Sequence, residues 1–174
     1  MTSIFEGDGL VLAIDPSERG VAFVVMKGPK FVVDYGVKNV RGKRKNVDSV
    51  EKVEALLSFY QPSVIVLENC AAKSSRRRLR IRRLLTQIKK LAESKRTRVE
   101  QLSPDDVREV FEGSGATNKD HIAVEVAKRL PELAHRLPPP RLIWMSERYS
   151  MSIFDAAAFA LTFYQIKNPR KAAA

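Results

Sequence analysis

Two short apolar runs that each stop on a carboxylate constrain this chain more than any other feature. Leu10 to Ile14 reads LVLAI and is followed by Asp15 and Pro16, while residues 63 to 69 read SVIVLEN and end beside Glu68. Apolar runs of this length, bounded by turn residues, are buried strands. An acid at the tip of such a strand is penalised unless something meets its charge. Asp15 therefore either opens a turn, since Asp before Pro is common turn chemistry, or faces a positive group such as a metal ion. Glu68 poses the same choice: a cap, a pair with a surface arginine, or part of a shared charged centre.

The segments between these strands complete an α/β pattern. Val21 to Met26 and Phe31 to Tyr35 are further strands, and KGPK between them supplies a hairpin with Gly28 and Pro29 as breakers. A basic loop, RGKRKN, leads into a helix over Val47 to Tyr60, with Val50, Val53, Leu56 and Leu57 on one side. A second helix follows Glu68, its stripe formed by Ile81, Leu84, Leu85, Ile88, Leu91 and Ala92. Leu79 lies off that stripe. Residues 99–102 form a strand, and Ser103-Pro104-Asp105-Asp106 is a helix start with Ser as the cap, Pro at the first position and acids in the first turn. Helices over Asp120 to Leu130 and Ser150 to Ile166 close the chain, the last rich in Ala and Phe, with LPPPR breaking the chain between them. Strands in succession followed by alternating strand and helix predict a mixed sheet flanked by helices.

Charge narrows the function. The chain carries 31 Lys plus Arg against 20 Asp plus Glu, and Lys73 to Arg98 alone holds twelve basic residues and one acid, Glu93. Outside that segment the signs balance. A localised excess of Lys and Arg marks a polyanion partner, because such residues release counterions from a phosphate backbone. Lys73, Arg76, Arg77, Arg78, Arg80 and Arg83 are the candidate nucleic-acid contacts, projecting away from the apolar stripe toward solvent or a ligand. A membrane-surface role ranks lower, because the opposite face of this helix is committed to the core. A single cysteine, Cys70, excludes an internal disulfide, and the two histidines stand apart with no zinc-site spacing. No secretory signal is evident, and a cytoplasmic location is the expectation.

A third acid, Asp155, interrupts the apolar helix SIFDAAAFALTFY. Ser152 and Asp155 match the spacing of a capping box, which is its structural reading. If the two acidic strands are parallel neighbours, Asp15 and Glu68 emerge together, and a helix crossing that edge brings Asp155 between them. Such a cluster repels itself unless cations neutralise it, and oxygen ligands alone favour Mg²⁺, with Mn²⁺ able to substitute. A metal-activated water beside a basic surface is the equipment of phosphodiester cleavage.

In the order and spacing of these motifs the chain resembles the RuvC-type Holliday-junction resolvases of the RNase H-like superfamily. LAIDPSERGVAFVVM resembles that family's first strand, turn and second strand; VIVLEN resembles its second acidic strand and DAAAFAL its terminal acidic helix. SPDDVREVFEGSGATNKDHIAVEVAKRL is similar to the segment in which a proline-led helix, a Gly-x-Gly turn and a spaced basic residue recur. The resemblance implies one RNase H-like nuclease domain over 1–174, its core about 10–166 with short frayed ends. It implies a mixed sheet of three antiparallel strands followed by parallel strands. It also implies a metal-dependent endonuclease acting on branched DNA, four-way junctions above all, as a homodimer. Carried over by position, Asp15, Glu68 and Asp155 are metal ligands, and Arg108 and Lys119 are basic groups near the scissile phosphate.

The departures are equally specific. Ser152 stands where the family places a further acid or histidine, leaving Glu147 or a water to serve as an indirect fourth ligand. Ala71 replaces an aromatic residue that in the family stacks into the junction. Trp144, Tyr149 and Tyr60 are the available substitutes, although core packing is the expectation for each. Two alternatives follow: a branched-DNA-binding protein with a degraded metal site, and an RNase H-like nuclease acting on structured RNA.

Overall fold

The computed structural model describes residues 9–146 and 148–167; Glu147 and the two ends expected to fray lie outside them. Strands β1 (Val11–Pro16), β2 (Gly20–Met26) and β3 (Val32–Asn39) precede helix α1 (Lys45–Tyr60). They are followed by β4 (Val64–Glu68), α2 (Leu79–Ser94) and β5 (Arg98–Leu102). Helices α3 (Pro104–Glu112), α4 (Lys119–Arg129) and α5 (Met151–Lys167) complete the fold, with a 3-10 turn at Pro131–Arg136. The sheet order is β3-β2-β1-β4-β5, antiparallel among the first three and parallel from β1 through β4 to β5. This is the mixed sheet expected from the sequence.

Both faces of the sheet are covered, which is why its central strands read as unbroken apolar runs rather than alternating ones. Leu12, Ile14, Phe23, Val25, Ile65 and Leu67 pack with α1 and α2 through Val53, Leu57, Leu84 and Ile88. The alternate residues Ala13, Ala22, Val24, Met26 and Val66 pack with α3, α4 and α5 through Phe111, Val126, Phe154 and Ala157. Helix α5 is buried from Met151 to Tyr164 apart from Asp155. Its Ala156, Ala157, Ala158 and Ala160 let the helix lie close against the strands, so it is a core helix rather than an amphipathic one. A carboxylate in its first turns is therefore delivered to the end of the sheet.

Local signals set the element ends. Ser103 caps α3 by accepting the Asp106 N–H at 3.1 Å, while the Asp106 carboxylate accepts the Ser103 N–H at 2.7 Å. Gly20 closes the turn after β1 at φ 154°, where an added Cβ would lie 2.1 Å from the Lys38 carbonyl of β3. Only glycine fits that approach.

Four expectations need correction. β3 continues past Tyr35 to Asn39, because an edge strand paired on one side needs no apolar sequence; Val37, Lys38 and Asn39 pair with Ala22, Val21 and Gly20. Helix α2 starts at Leu79, so Lys73 and Arg76 to Arg78 precede it rather than ride on it. Ser152 does not form a capping box with Asp155: it lies inside α5 and its hydroxyl donates to the Tyr149 carbonyl at 2.9 Å. Trp144 is not in the core but 79% exposed, beside a fully exposed Ile143, because Pro138 to Pro140 keep this connection from folding back as helix or strand.

Candidate active site

The parallel pairing of β1 with β4 matches Val11 to Val64, Leu12 to Ile65 and Ala13 to Val66. Continued two residues, that register sets Asp15 beside Glu68. Both are buried, 3% and 4% exposed. Two adjacent buried carboxylates repel one another and need compensating positive charge.

The chain supplies that charge from the segment leaving β4. The Asn69 side chain accepts the Ala71 N–H at 3.0 Å, and two turns follow, Ala72 N–H to the Asn69 carbonyl and Ser75 N–H to the Ala72 carbonyl. These turns fold residues 70–77 back over the strand end. Ser75 then donates its hydroxyl to Glu68 Oε1 at 2.7 Å. Arg77 spreads its whole guanidinium across the site: Nε donates to Glu68 Oε2, Nη2 to Asp15 Oδ1, and Nη1 to the Pro16 carbonyl at 3.1 Å. A planar fork with donors on every edge can join two acids and a carbonyl at once, which a lysine ammonium cannot reproduce. Of the arginines assigned to solvent or a ligand, Arg77 instead faces inward.

Burial pushes the Asp15 carboxyl above its ordinary value, while the charges of Arg77 and then Lys119 pull it back and Glu68 adds to the rise. The Asp15 carboxylate, with Glu68 behind it, pushes the Arg77 guanidinium pKa upward against the opposing effect of its own burial. Cys70 adjoins this centre, and burial and then Glu68 push its thiol up, so it is no ready nucleophile.

Asp155 reaches the same end of the sheet from α5. Its carboxylate pairs with Lys119 at 2.8 Å, the ammonium coming from the first residue of α4. Asn118 caps that helix by accepting the His121 N–H at 2.9 Å, which fixes where Lys119 begins. Asp15, Asp155, Ser152, Arg77 and Lys119 line one open cleft of about 360 Å³. Its rim is basic: Arg19, Arg76, Arg78 and Arg148 line it, together with Tyr149.

The structure thus gathers Asp15, Glu68, Asp155, Lys119, Arg76, Arg77 and Arg78 around one site. Other candidates stand elsewhere. Arg108 is exposed on α3, paired with Asp105 at 2.6 Å, and does not line the cleft. Lys73 and Arg83 are exposed and do not line it either. Arg80 braces the turn after Asp15, donating to the Ser17 carbonyl at 3.1 Å and pairing with Glu18 at 3.2 Å. Sequence reasoning missed Arg19 and Arg148. Arg19 had a signal, since it follows Asp15 in the turn PSERG and must project from the same strand end. Arg148 lies in the irregular connection before α5 and had none.

The donors at this site are carboxylate oxygens, the type a hard divalent cation takes. Asp15 and Glu68 already share one cation, the Arg77 guanidinium, so their placement suits a common positive charge. Among the described residues, no group of three or more Asp, Glu, His or Cys stands together as a metal-holding cluster. The donor chemistry of the strand-end pair suits such an ion with only two protein ligands, and Asp155 stands apart from it on Lys119.

The mixed five-stranded sheet flanked by helices is the fold of RuvC. Among solved structures the chain is similar to RuvC of Thermus thermophilus, with TM-score 0.63 and 18% identity over 91% of this chain and 95% of that one. A structure of the T. thermophilus protein in complex with a Holliday junction substrate matches with TM-score 0.62, at 18% identity and the same coverage. The yeast mitochondrial Holliday junction resolvase matches with TM-score 0.60 and 14% identity, over 97% of this chain and 84% of that one. No family model and no curated protein matches the chain in sequence. No helix among the described residues is long and apolar enough to cross a membrane.

Proposed function

We propose that this protein is a divalent-metal-dependent endonuclease that cleaves branched DNA, four-way junctions above all. The observation that carries the reading is the buried Asp15–Glu68 pair at the strand ends, beside a cleft that Asp155 also lines and arginines rim, in a fold shared with a protein solved on a Holliday junction. Asp15 and Glu68 would hold the first ion and Asp155 would complete the site, with Mg²⁺ the expected metal and Mn²⁺ a substitute. When bound, the metal would supply an activated water and charge for the leaving oxygen.

The chain's own residues divide the remaining work. Arg19, Arg76, Arg78 and Arg148 grip the phosphate backbone and set its path across the cleft. Lys119 holds Asp155 in position and offers its ammonium to a phosphate oxygen there. Arg108, which does not line the cleft, serves as a peripheral contact to the DNA arms, with Lys73 and Arg83. The enzyme acts as a homodimer, since a junction presents two symmetric strands to cut, and exposed Leu79 at the start of α2 is a candidate contact between copies. A second reading has its own observation: Arg77 and Lys119 already neutralise the acids, as a protein that only binds junctions would require.

A cleavage panel separates these readings. Labelled four-way junction, linear duplex and structured RNA are incubated with Mg²⁺ or Mn²⁺, for the wild type and for Asp15→Asn. The expected result is junction cleavage that falls roughly 10³-fold in Asp15→Asn, the rate equivalent of several kcal/mol of transition-state stabilisation. Junction binding that weakens steeply with salt, with no cleavage under either metal, establishes the binding-only reading instead. Cleavage of RNA alone moves the substrate class.

A further inference from the structure

Resting on the metal-dependent reading above, we propose that Arg77 is a built-in counter-ion competing with the divalent metal, so that an ion binds Asp15 and Glu68 only when the guanidinium withdraws. Arg77 satisfies the two acids as a cation would, with one nitrogen on each and a third on the Pro16 carbonyl. On each acid it occupies an oxygen that would otherwise face the metal, Oδ1 of Asp15 and Oε2 of Glu68. A buried carboxylate pair cannot stay uncompensated, and between ions Arg77 meets that requirement.

The segment carrying Arg77 suits the exchange. Residues 69–78 belong to no strand or helix; two turns and the Asn69 side chain shape them, and ahead of Arg77 their ties outward lie at Asn69, Cys70 and Ser75. Withdrawing Arg77 breaks no sheet or helix hydrogen bond. The guanidinium also lines the cleft, with about a quarter of its side chain exposed, so it can leave toward the solvent side where phosphates would lie. A phosphate offers the same two-oxygen geometry as a carboxylate, which gives the departing fork a destination. The apparent metal affinity of the free protein is then reduced by the fraction of molecules in which Arg77 occupies the acids.

The test is Mn²⁺ binding to the full-length protein without DNA, read by electron paramagnetic resonance of the free ion, with thermal unfolding in parallel. Arg77→Gln is expected to bind Mn²⁺ roughly tenfold or more tightly than the wild type. Arg76→Gln removes the same charge from the same cleft without touching the acids, and is expected to change affinity less than about threefold by screened electrostatics alone. In chelator, Arg77→Gln unfolds at a lower temperature than the wild type, and Mg²⁺ restores much of that loss while shifting the wild type little. Arg77→Lys, which keeps the charge but cannot bridge both acids, falls between wild type and Arg77→Gln and serves if the latter does not fold. Wild-type affinity in Arg77→Gln or Arg77→Lys, or equal tightening in Arg76→Gln, overturns the counter-ion proposal. In that event, loss of Mn²⁺ binding in Asp15→Asn leaves the metal site itself standing. Absence of Mn²⁺ binding in the wild type and Arg77→Gln alike overturns both.

Discussion

The acidic centre has two halves built on different principles. At the strand ends, Asp15 and Glu68 are almost wholly buried and share one arginine through a fork of hydrogen bonds. At the start of the last helix, Asp155 is a fifth exposed and meets a lysine whose side chain is about half exposed. The first half is a low-dielectric site in which every charge must be matched. The second is a screened surface pair. The strand-end half is therefore where removing a charge should cost the most stability, and the helix half is where a partner can be exchanged with little structural consequence.

The sharpest way to break this contrast is to remove each cation in turn. Arg77→Gln should destabilise the metal-free protein by about 3–5 kcal/mol, the usual consequence of leaving buried charges without their partner. Lys119→Met should cost at most about 1 kcal/mol, as expected for an ion pair this exposed. Denaturant unfolding in chelator measures both, and equal losses would erase the distinction. Salt sharpens it further. Raising ionic strength should narrow the gap between wild type and Lys119→Met while leaving the Arg77→Gln deficit nearly intact, because screening reaches the exposed pair more than the buried one.

The smallest effect lies outside the acidic centre. Tyr60 donates to Asp34, and burial, followed by that carboxylate, pushes its phenol up to about 12. A phenol whose folded pKa exceeds its unfolded value of about 10 contributes stability fully below pH 10, lost as pH rises toward 12. Tyr60→Phe should therefore flatten the alkaline fall in stability without touching cleavage. A change in junction cleavage in that variant would show that the contact reaches the acidic centre after all.

Much of this arrangement is legible in the sequence because it follows from period and burial. The runs ending at Asp15 and Glu68 read as core strands, and the Ser103-Pro104 helix start gives its own position. The Ala-rich final helix announces close packing around Asp155. The inward turn of Arg77 is not legible. In an unbroken run of three arginines nothing local distinguishes the one that faces the acids. That choice is made by the turns at Asn69 and Ser75 and by how far the segment reaches back. The second half of β3 was hidden for a different reason, since an edge strand takes its structure from pairing rather than from apolar content. Trp144 misled in the opposite sense: a lone tryptophan reads as core, but the prolines before it hold its segment away from the sheet.

Crystals grown with Mn²⁺ and measured for anomalous scattering test the central claim most directly. The account predicts a manganese peak between the Asp15 and Glu68 carboxylates, with the Arg77 guanidinium displaced toward the cleft mouth. Manganese absent from that position at saturating concentration, with Arg77 still bridging both acids, would contradict it.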